Sequence, residues 1–161
     1  MCYLLICIVI AFLFFFAGRA YQMLFLENIN QYQNHVNYQK RLFEEQIEIN
    51  RQKGEKLDAF FVNRNIRRIV IYGLGPYYQE FLHDVSVQIF DEIFFSDGNP
   101  EACENEGKIY SKMELLQLDF DAVIVTSLSH YLDIREDLLK LGIEQDIYSY
   151  SDIVYNSSKE R

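Results

Sequence analysis

Three short apolar runs, each ending in a turn or a small polar residue and each followed by a helical stretch, constrain this chain more than any other feature. Arg67-Arg68-Ile69-Val70-Ile71-Tyr72 leads into Gly73-Leu74-Gly75-Pro76, and Glu92-Ile93-Phe94-Phe95-Ser96-Asp97 leads into Gly98-Asn99-Pro100. Asp121-Ala122-Val123-Ile124-Val125-Thr126-Ser127 is the clearest of the three. Short runs rich in β-branched and aromatic residues, bounded by turn chemistry, read as buried strands. Asp146-Ile147-Tyr148-Ser149 is a fourth, shorter one. Helices fill the intervals. Pro76 suits a first helical position, where its missing N–H is not needed. Ser111, with Glu114 three residues on, makes a capping box for a short helix carrying Met113, Leu115 and Leu116. Residues 131–141 form an amphipathic helix ended by Gly142, and a final turn of helix is expected from Ser151. Strand and helix in alternation predict an α/β fold, a small parallel-sheet Rossmann-like domain with right-handed crossovers, over residues 59–161.

In such sheets ligands sit at the carboxyl ends of the strands. Here those ends are Gly73 to Gly75, Ser96-Asp97 and Thr126-Ser127. A GxG that follows a buried strand and opens a helix, with an acid about twenty residues on, can place a phosphate on the helix N-terminus and a carboxylate on a ribose hydroxyl. Asp97 lies 24 residues after Gly73. Gly73, Gly75, Asp97, Thr126 and Ser127 are therefore the candidate binding residues. Two neighbours pull the other way. Tyr78 occupies the third glycine position, whose smallness allows close packing of helix on strand, and Pro76 removes one N–H from the loop. A bound nucleotide and a degenerate, ligand-free domain that serves as an interaction scaffold are both compatible with this loop.

Residues 2–18 contain no charged, amide or alcohol side chain. Seventeen residues of helix span roughly 25 Å against a hydrocarbon core of about 30 Å. Arg19 can snorkel, and Tyr21, Met23, Leu24, Phe25 and Leu26 continue the apolar contact at interface depth. We expect residues 1–26 to be a transmembrane anchor. A cleaved signal peptide fits less well, because no Lys or Arg precedes the run and Gly18-Arg19-Ala20 is a poor cleavage site. Arg19, Lys40 and Arg41 follow the run and none precedes it, which predicts a single-pass membrane protein with its domain in the cytoplasm.

Residues 27–58 lack proline and favour helix, a stalk between anchor and domain. Its best seam, in alternating steps of three and four, reads Ile29, Gln33, Val36, Lys40, Phe43, Ile47, Asn50, Gly54, Leu57, Phe61, with six of ten positions apolar. That suits a helical spacer or a helix packed on the protein's own domain. It also suits a weak coiled coil joining two copies, with Asn50 setting register.

The charge balance excludes one class of partner. Residues 1–58 carry six Lys/Arg and six Asp/Glu, whereas residues 59–161 carry nine and eighteen, so the whole net charge of -9 belongs to the domain. An acidic domain with no basic stripe is not a nucleic-acid binder. With Cys2 and Cys7 in the apolar run, Cys103 is the one cysteine of the soluble part, which suits a reducing compartment. His35, His83 and His130 are scattered and suggest no metal site. Tyr155 and Lys159 have the Tyr-x-x-x-Lys spacing of a dehydrogenase pair but stand at the tail of the chain, and Ser127 with His130 lacks a third group. Ser127 reads as a helix-entry cap. Without a catalytic constellation or a substrate domain, an autonomous enzyme is not expected.

Ile69-Val70-Ile71-Tyr72-Gly73-Leu74-Gly75, Phe95-Ser96-Asp97-Gly98-Asn99-Pro100-Glu101, Gly107-Lys108-Ile109-Tyr110-Ser111 and Asp121-Ala122-Val123-Ile124-Val125-Thr126-Ser127 resemble the small Rossmann-like modules of bacterial cell-surface polysaccharide biosynthesis proteins. The resemblance implies NAD or nucleotide-sugar binding at Gly73, Gly75 and Asp97. It also implies a glycan-synthesis enzyme as partner, with the module as an accessory component.

Overall fold

The computed structural model describes the backbone of residues 2–99 and 107–157, with side chains from residue 16 onward. Cys103 and Lys159 lie outside the described residues, as do the side chains of most of the expected anchor. Two compact units are present, Met1–Leu42 and Phe43–Arg161. The first consists of the N-terminal part of helix α1 (Cys2–Gln52), whose Phe16, Tyr21, Met23, Leu24, Phe25 and Leu26 are all well exposed. Among the described residues no helix is long and apolar enough to cross a membrane.

The second unit contains the end of α1, then α2 (Asp58–Asn63), β1 (Arg68–Tyr72), α3 (Pro76–Asp84), β2 (Glu92–Ser96), β3 (Ile109–Tyr110) and α4 (Lys112–Leu115). It closes with β4 (Ala122–Val125), α5 (Tyr131–Leu141), β5 (Asp146–Ser149) and α6 (Tyr150–Ser157). All five strands are parallel, in the order β3-β2-β1-β4-β5. Chain order reverses direction between β1 and β4, which makes that gap the topological switch point. Ile69 and Val70 pair in register with Ile93 and Phe94 on one side and with Ala122 and Val123 on the other. β1 and β4 are buried on both faces, which is why their sequences are continuous apolar runs and not alternations.

The two layers differ in chemistry. Ile69, Ile71, Ala122 and Ile124 face an aromatic layer built from Phe43, Phe60, Phe61, Tyr78, Phe81 and Tyr150. Its rings meet edge to face, for example Phe61 on Phe90 at 5.0 Å and Phe81 on Tyr150 at 5.5 Å between centroids. Val70, Tyr72, Val123 and Val125 face a smaller aliphatic layer with Leu115, Leu138 and Ile143. The capping box at Ser111 forms as read, with the Glu114 amide donating to Ser111 Oγ and Glu114 Oε2 accepting from the Ser111 amide. Gly142 ends α5 in the left-handed conformation, φ 99°.

One feature was absent from the sequence reading, and a second matches one of the uses that reading left open for the stalk. β3 is a two-residue edge strand at Ile109–Tyr110, paired with Phe95 and Ser96. The stalk does not end where the domain begins, because Phe43, Ile47, Asn50, Leu57 and Phe61 of the seam are buried within the second unit. Half of the positions that read as a coiled-coil interface are thus filled by the protein's own core. The Asn50 amide donates to the Val154 carbonyl at 3.4 Å and its Oδ1 accepts from Gln46, so its polar partners lie within the chain.

Candidate functional site

The residues singled out at the strand ends converge on the switch point. Beyond β1 the chain turns through Gly73 at φ 95°, a left-handed value that glycine adopts without strain. A Cβ at Gly73 would lie 3.0 Å from Ser127 Cβ and 3.1 Å from the Ser127 amide nitrogen, so the loops after β1 and β4 are in close approach. Thr126 is buried, and its Oγ1 donates to the Gly73 carbonyl in a short hydrogen bond, with the Tyr72 carbonyl at 3.4 Å. Gly73 is required here by the protein's own packing.

Asp97 ties the same loop to the end of β2. Its Oδ2 accepts from the Leu74 amide at 2.6 Å, and its Oδ1 accepts from the Asn99 amide at 2.7 Å. The Gly73 amide donates to the Ser96 carbonyl at 2.9 Å, and Ser96 Oγ donates to the Tyr110 carbonyl at 2.8 Å, which carries the chain of bonds to the β3 edge. Among the described residues each Asp97 oxygen accepts one hydrogen bond, and a carboxylate oxygen has a second lone-pair direction with which it can accept from a diol.

Gly75 is exposed and extended at the N-cap of α3, with nothing within 4 Å of a Cβ placed there. Among the described residues none crowds that position. Pro76 opens α3, and the Tyr78 amide donates to the Gly75 carbonyl at 3.0 Å. Of the loop's backbone donors, those of Gly73, Leu74 and Tyr78 are engaged inside the protein and Pro76 has none. Tyr78 itself is almost fully buried, its ring edge-on to Phe95 at 5.9 Å between centroids in the aromatic layer. The substitution at the third glycine position is absorbed by the core beneath α3.

On the opposite layer Tyr72 brings a buried phenol to the same end of the sheet, with its oxygen 4.0 Å from where a Cβ of Gly98 would lie. Burial raises the Tyr72 pKa above the ordinary phenol value, while the Lys112 ammonium opposes that rise. Lys112 Nζ stands 2.7 Å from Asp137 Oδ2 and 5.9 Å from the centre of the Tyr72 ring. Sequence reasoning missed this pair because Tyr72 read as the last residue of a strand and Lys112 as a capped helix residue. Ser127 holds the N-cap position of a one-turn 3-10 helix, Leu128–His130, but its hydroxyl makes no capping bond. His130 is exposed at the start of α5. Tyr155 lies on α6.

A second polar cluster was not anticipated. Asp84, the last residue of α3, is buried and accepts from Arg51 Nε at 2.6 Å, from the Tyr150 hydroxyl at 2.6 Å and, on the Arg51 side, contacts His83 Nδ1 at 3.1 Å. Arg51 also places Nη2 2.5 Å from Glu80 Oε2. Burial alone would raise the Asp84 pKa, but the hydrogen bonds from Arg51, Tyr150 and His83 outweigh it and hold the carboxyl below its ordinary value. Burial and the bond to Asp84 both push the Tyr150 phenol upward. No sequence signal marked these residues, because the cluster depends on which face of α1 meets α3.

Residues 65–147 match the model of a family described as C2185-like, N-terminal. The match takes in every strand from β1 to β4, the first half of β5 and all five candidate binding residues. No curated protein and no solved structure matches the chain.

Proposed function

We propose that this chain, which belongs to the C2185-like, N-terminal family, is a membrane-anchored Rossmann-like module that binds a nucleotide-type ligand as an accessory component of cell-surface glycan synthesis. The ligand class is NAD or a nucleotide sugar. One observation carries the reading: Asp97 after β2 and Thr126 after β4 both bond the loop that follows β1, with Asp97 Oδ2 2.6 Å from the Leu74 amide nitrogen and Thr126 on the Gly73 carbonyl, at the switch point of the sheet. Crevices at such switch points are where open α/β sheets hold ligands. In this arrangement a ribose or sugar diol sits on Asp97, and the phosphates lie before Gly75 at the start of α3.

Calorimetry or thermal shift of the detergent-solubilised chain with NAD, NADP and UDP-sugars tests the proposal. We expect stabilisation by one of them, lost in Asp97→Ala. Absence of a shift with every one would sink the binding reading.

A second reading is favoured by the loop itself. Pro76 has no N–H, the Leu74 amide is occupied by Asp97, and the Asp97 charge stands inside the loop that would cradle a diphosphate. On that reading the domain is a ligand-free scaffold that holds a glycan-synthesis enzyme at the membrane. It predicts co-purification with such an enzyme from cells, unaffected by Asp97→Ala.

The anchor is supported by the unbroken apolar run of residues 2–18 and by the exposed aromatic and aliphatic side chains from Phe16 to Leu26 that continue it. Resistance to alkaline extraction, lost on deletion of residues 1–26, is the expected result. Labelling of Cys103 by an impermeant thiol reagent in intact cells would contradict the cytoplasmic orientation. Pairing of two copies through the stalk is restricted, on this reading, to Ile29, Gln33, Val36 and Lys40, since the later seam positions are buried in the second unit except Gly54, which lies beyond the end of α1.

A further inference from the structure

α3 is nine residues long and is committed at both ends. Its first residue follows Gly75 directly, and its last is Asp84. Along one stripe, Tyr77, Glu80 and Asp84 stand three and four residues apart, the spacing that aligns side chains on one helix face. Each of them meets α1. The Tyr77 hydroxyl donates to Glu44 Oε1 at 3.1 Å, and its ring lies edge-on to Phe43 at 5.4 Å. Arg51 then holds both Glu80 and Asp84. The α1 partners fall at residues 43, 44 and 51, two helical turns apart, so the two helices lie side by side and run in the same direction over that length.

The contact at Tyr77 is only two residues beyond Gly75. A short helix in a close-packed layer moves as a body, so displacement at its N-terminus is felt at Glu80 and Asp84. Asp84 has no slack to absorb it, because it is buried and also holds the Tyr150 hydroxyl. From this geometry we infer that the glycine loop and the docking of α1 residues 43–52 form one conformational unit, linked through α3. Disturbing the loop loosens the docked end of α1, and releasing α1 loosens the loop, as reciprocity of coupling requires. The link stands whether the crevice holds a nucleotide or nothing. It gives the domain a means of passing the state of its strand-end loop to the helix that continues to Cys2.

Hydrogen exchange on the full chain in detergent micelles tests it. Gly73→Ala strains the loop, at φ 95° and with a Cβ 3.0 Å from Ser127, without touching α1. Asp97→Asn is the milder variant if that one does not fold. Leu138→Ala, in the aliphatic layer on the other face of the sheet, is the control for general loss of stability. The expected result is exchange at residues 43–52 about tenfold faster in the loop variant than in the control at matched global stability. In the reverse direction, Arg51→Gln accelerates exchange of the Leu74 amide by a similar factor. Equal exchange at 43–52 in loop variant and control, or an unchanged Leu74 amide in Arg51→Gln, would overturn the link.

Discussion

Helix α1 is one element with two environments. From Phe16 to Leu42 its described side chains are almost all exposed, large apolar ones included; from Phe43 to Gln52 every third or fourth residue is buried. The heptad-like spacing runs from Ile29, in the exposed stretch, into the buried one without a break. The difference shows that a 3.5-residue repeat specifies a stripe and leaves open what covers it. Over residues 43–50 the cover is α3 and α6 of the same chain. Over residues 16–26 apolar residues stand at consecutive positions, so they surround the helix and do not form a stripe.

The sharpest way to break this comparison is to truncate one aromatic residue in each stretch. Phe43 is buried and lies edge-on to both Tyr77 and Tyr150, at 5.4 and 5.1 Å. Phe43→Ala is expected to destabilise the second unit by about 3 to 4 kcal/mol, the range for a buried phenylalanine that leaves a cavity. Phe25→Ala, at an exposed position, is expected to change unfolding of that unit by less than about 0.5 kcal/mol. Urea unfolding of the full chain in micelles, followed by tyrosine fluorescence, measures both. Equal effects would mean that α1 is not docked.

Most of the second unit was legible in the sequence, because buried parallel strands have a distinctive composition. Val70 and Val123 face one layer while Ile69, Ile71 and Ile124 face the other, and only a sheet covered on both sides accepts such continuous runs. The capping box at Ser111 and the stop at Gly142 are local devices, and local devices survive into the fold unchanged. What could not be read depends on tertiary choice. Ile109 and Tyr110 are too few to register as a strand until Phe95 and Ser96 offer an edge. Tyr78 fills a site where the phosphate-loop pattern has glycine, yet the ring is accommodated because Phe95 presents an edge to it. The candidate residues Gly73, Asp97 and Thr126 were found from the rule that ligands bind at strand ends. The bonds from Thr126 to the Gly73 carbonyl and from the Leu74 amide to Asp97, which decide how much of the loop is left for a ligand, follow from backbone direction and carry no sequence mark.

The second test concerns the ion cluster that fixes the docked stretch. Asp84→Asn retains a hydrogen-bonding side chain but leaves Arg51 without its buried carboxylate partner, and we expect a loss of about 2 kcal/mol, moderated because Glu80 and solvent still reach the guanidinium. The same group gives a pH dependence. The folded Asp84 pKa lies below its ordinary value of 3.8, so its charge stabilises the fold above that value. Its contribution is lost as pH falls below 3.8 towards the folded pKa. Unfolding free energies measured between about pH 6 and pH 2 should fall less steeply in Asp84→Asn than in the parent chain. Parallel curves would show that Asp84 is not held as an anion by Arg51.

The smallest effect separates the two uses of the seam most directly. In a coiled coil, a buried Asn at a core position costs stability in exchange for register, so Asn50→Leu would strengthen association and change oligomeric state. In the docked arrangement Asn50 accepts from Gln46 Nε2 at 2.8 Å and donates, at a long 3.4 Å, to the Val154 carbonyl of α6. Leucine removes both bonds and leaves the Val154 carbonyl and the Gln46 amide to find other partners. The gain in apolar burial offsets part of that, so the expected net cost is about 1 kcal/mol with no change in oligomeric state. Denaturant unfolding gives the energy and sedimentation in micelles gives the mass. A stabilised, larger species would place residue 50 in an interface between copies. A slightly weakened species of unchanged mass would place it between α1 and α6, where its spacing alone could not have put it.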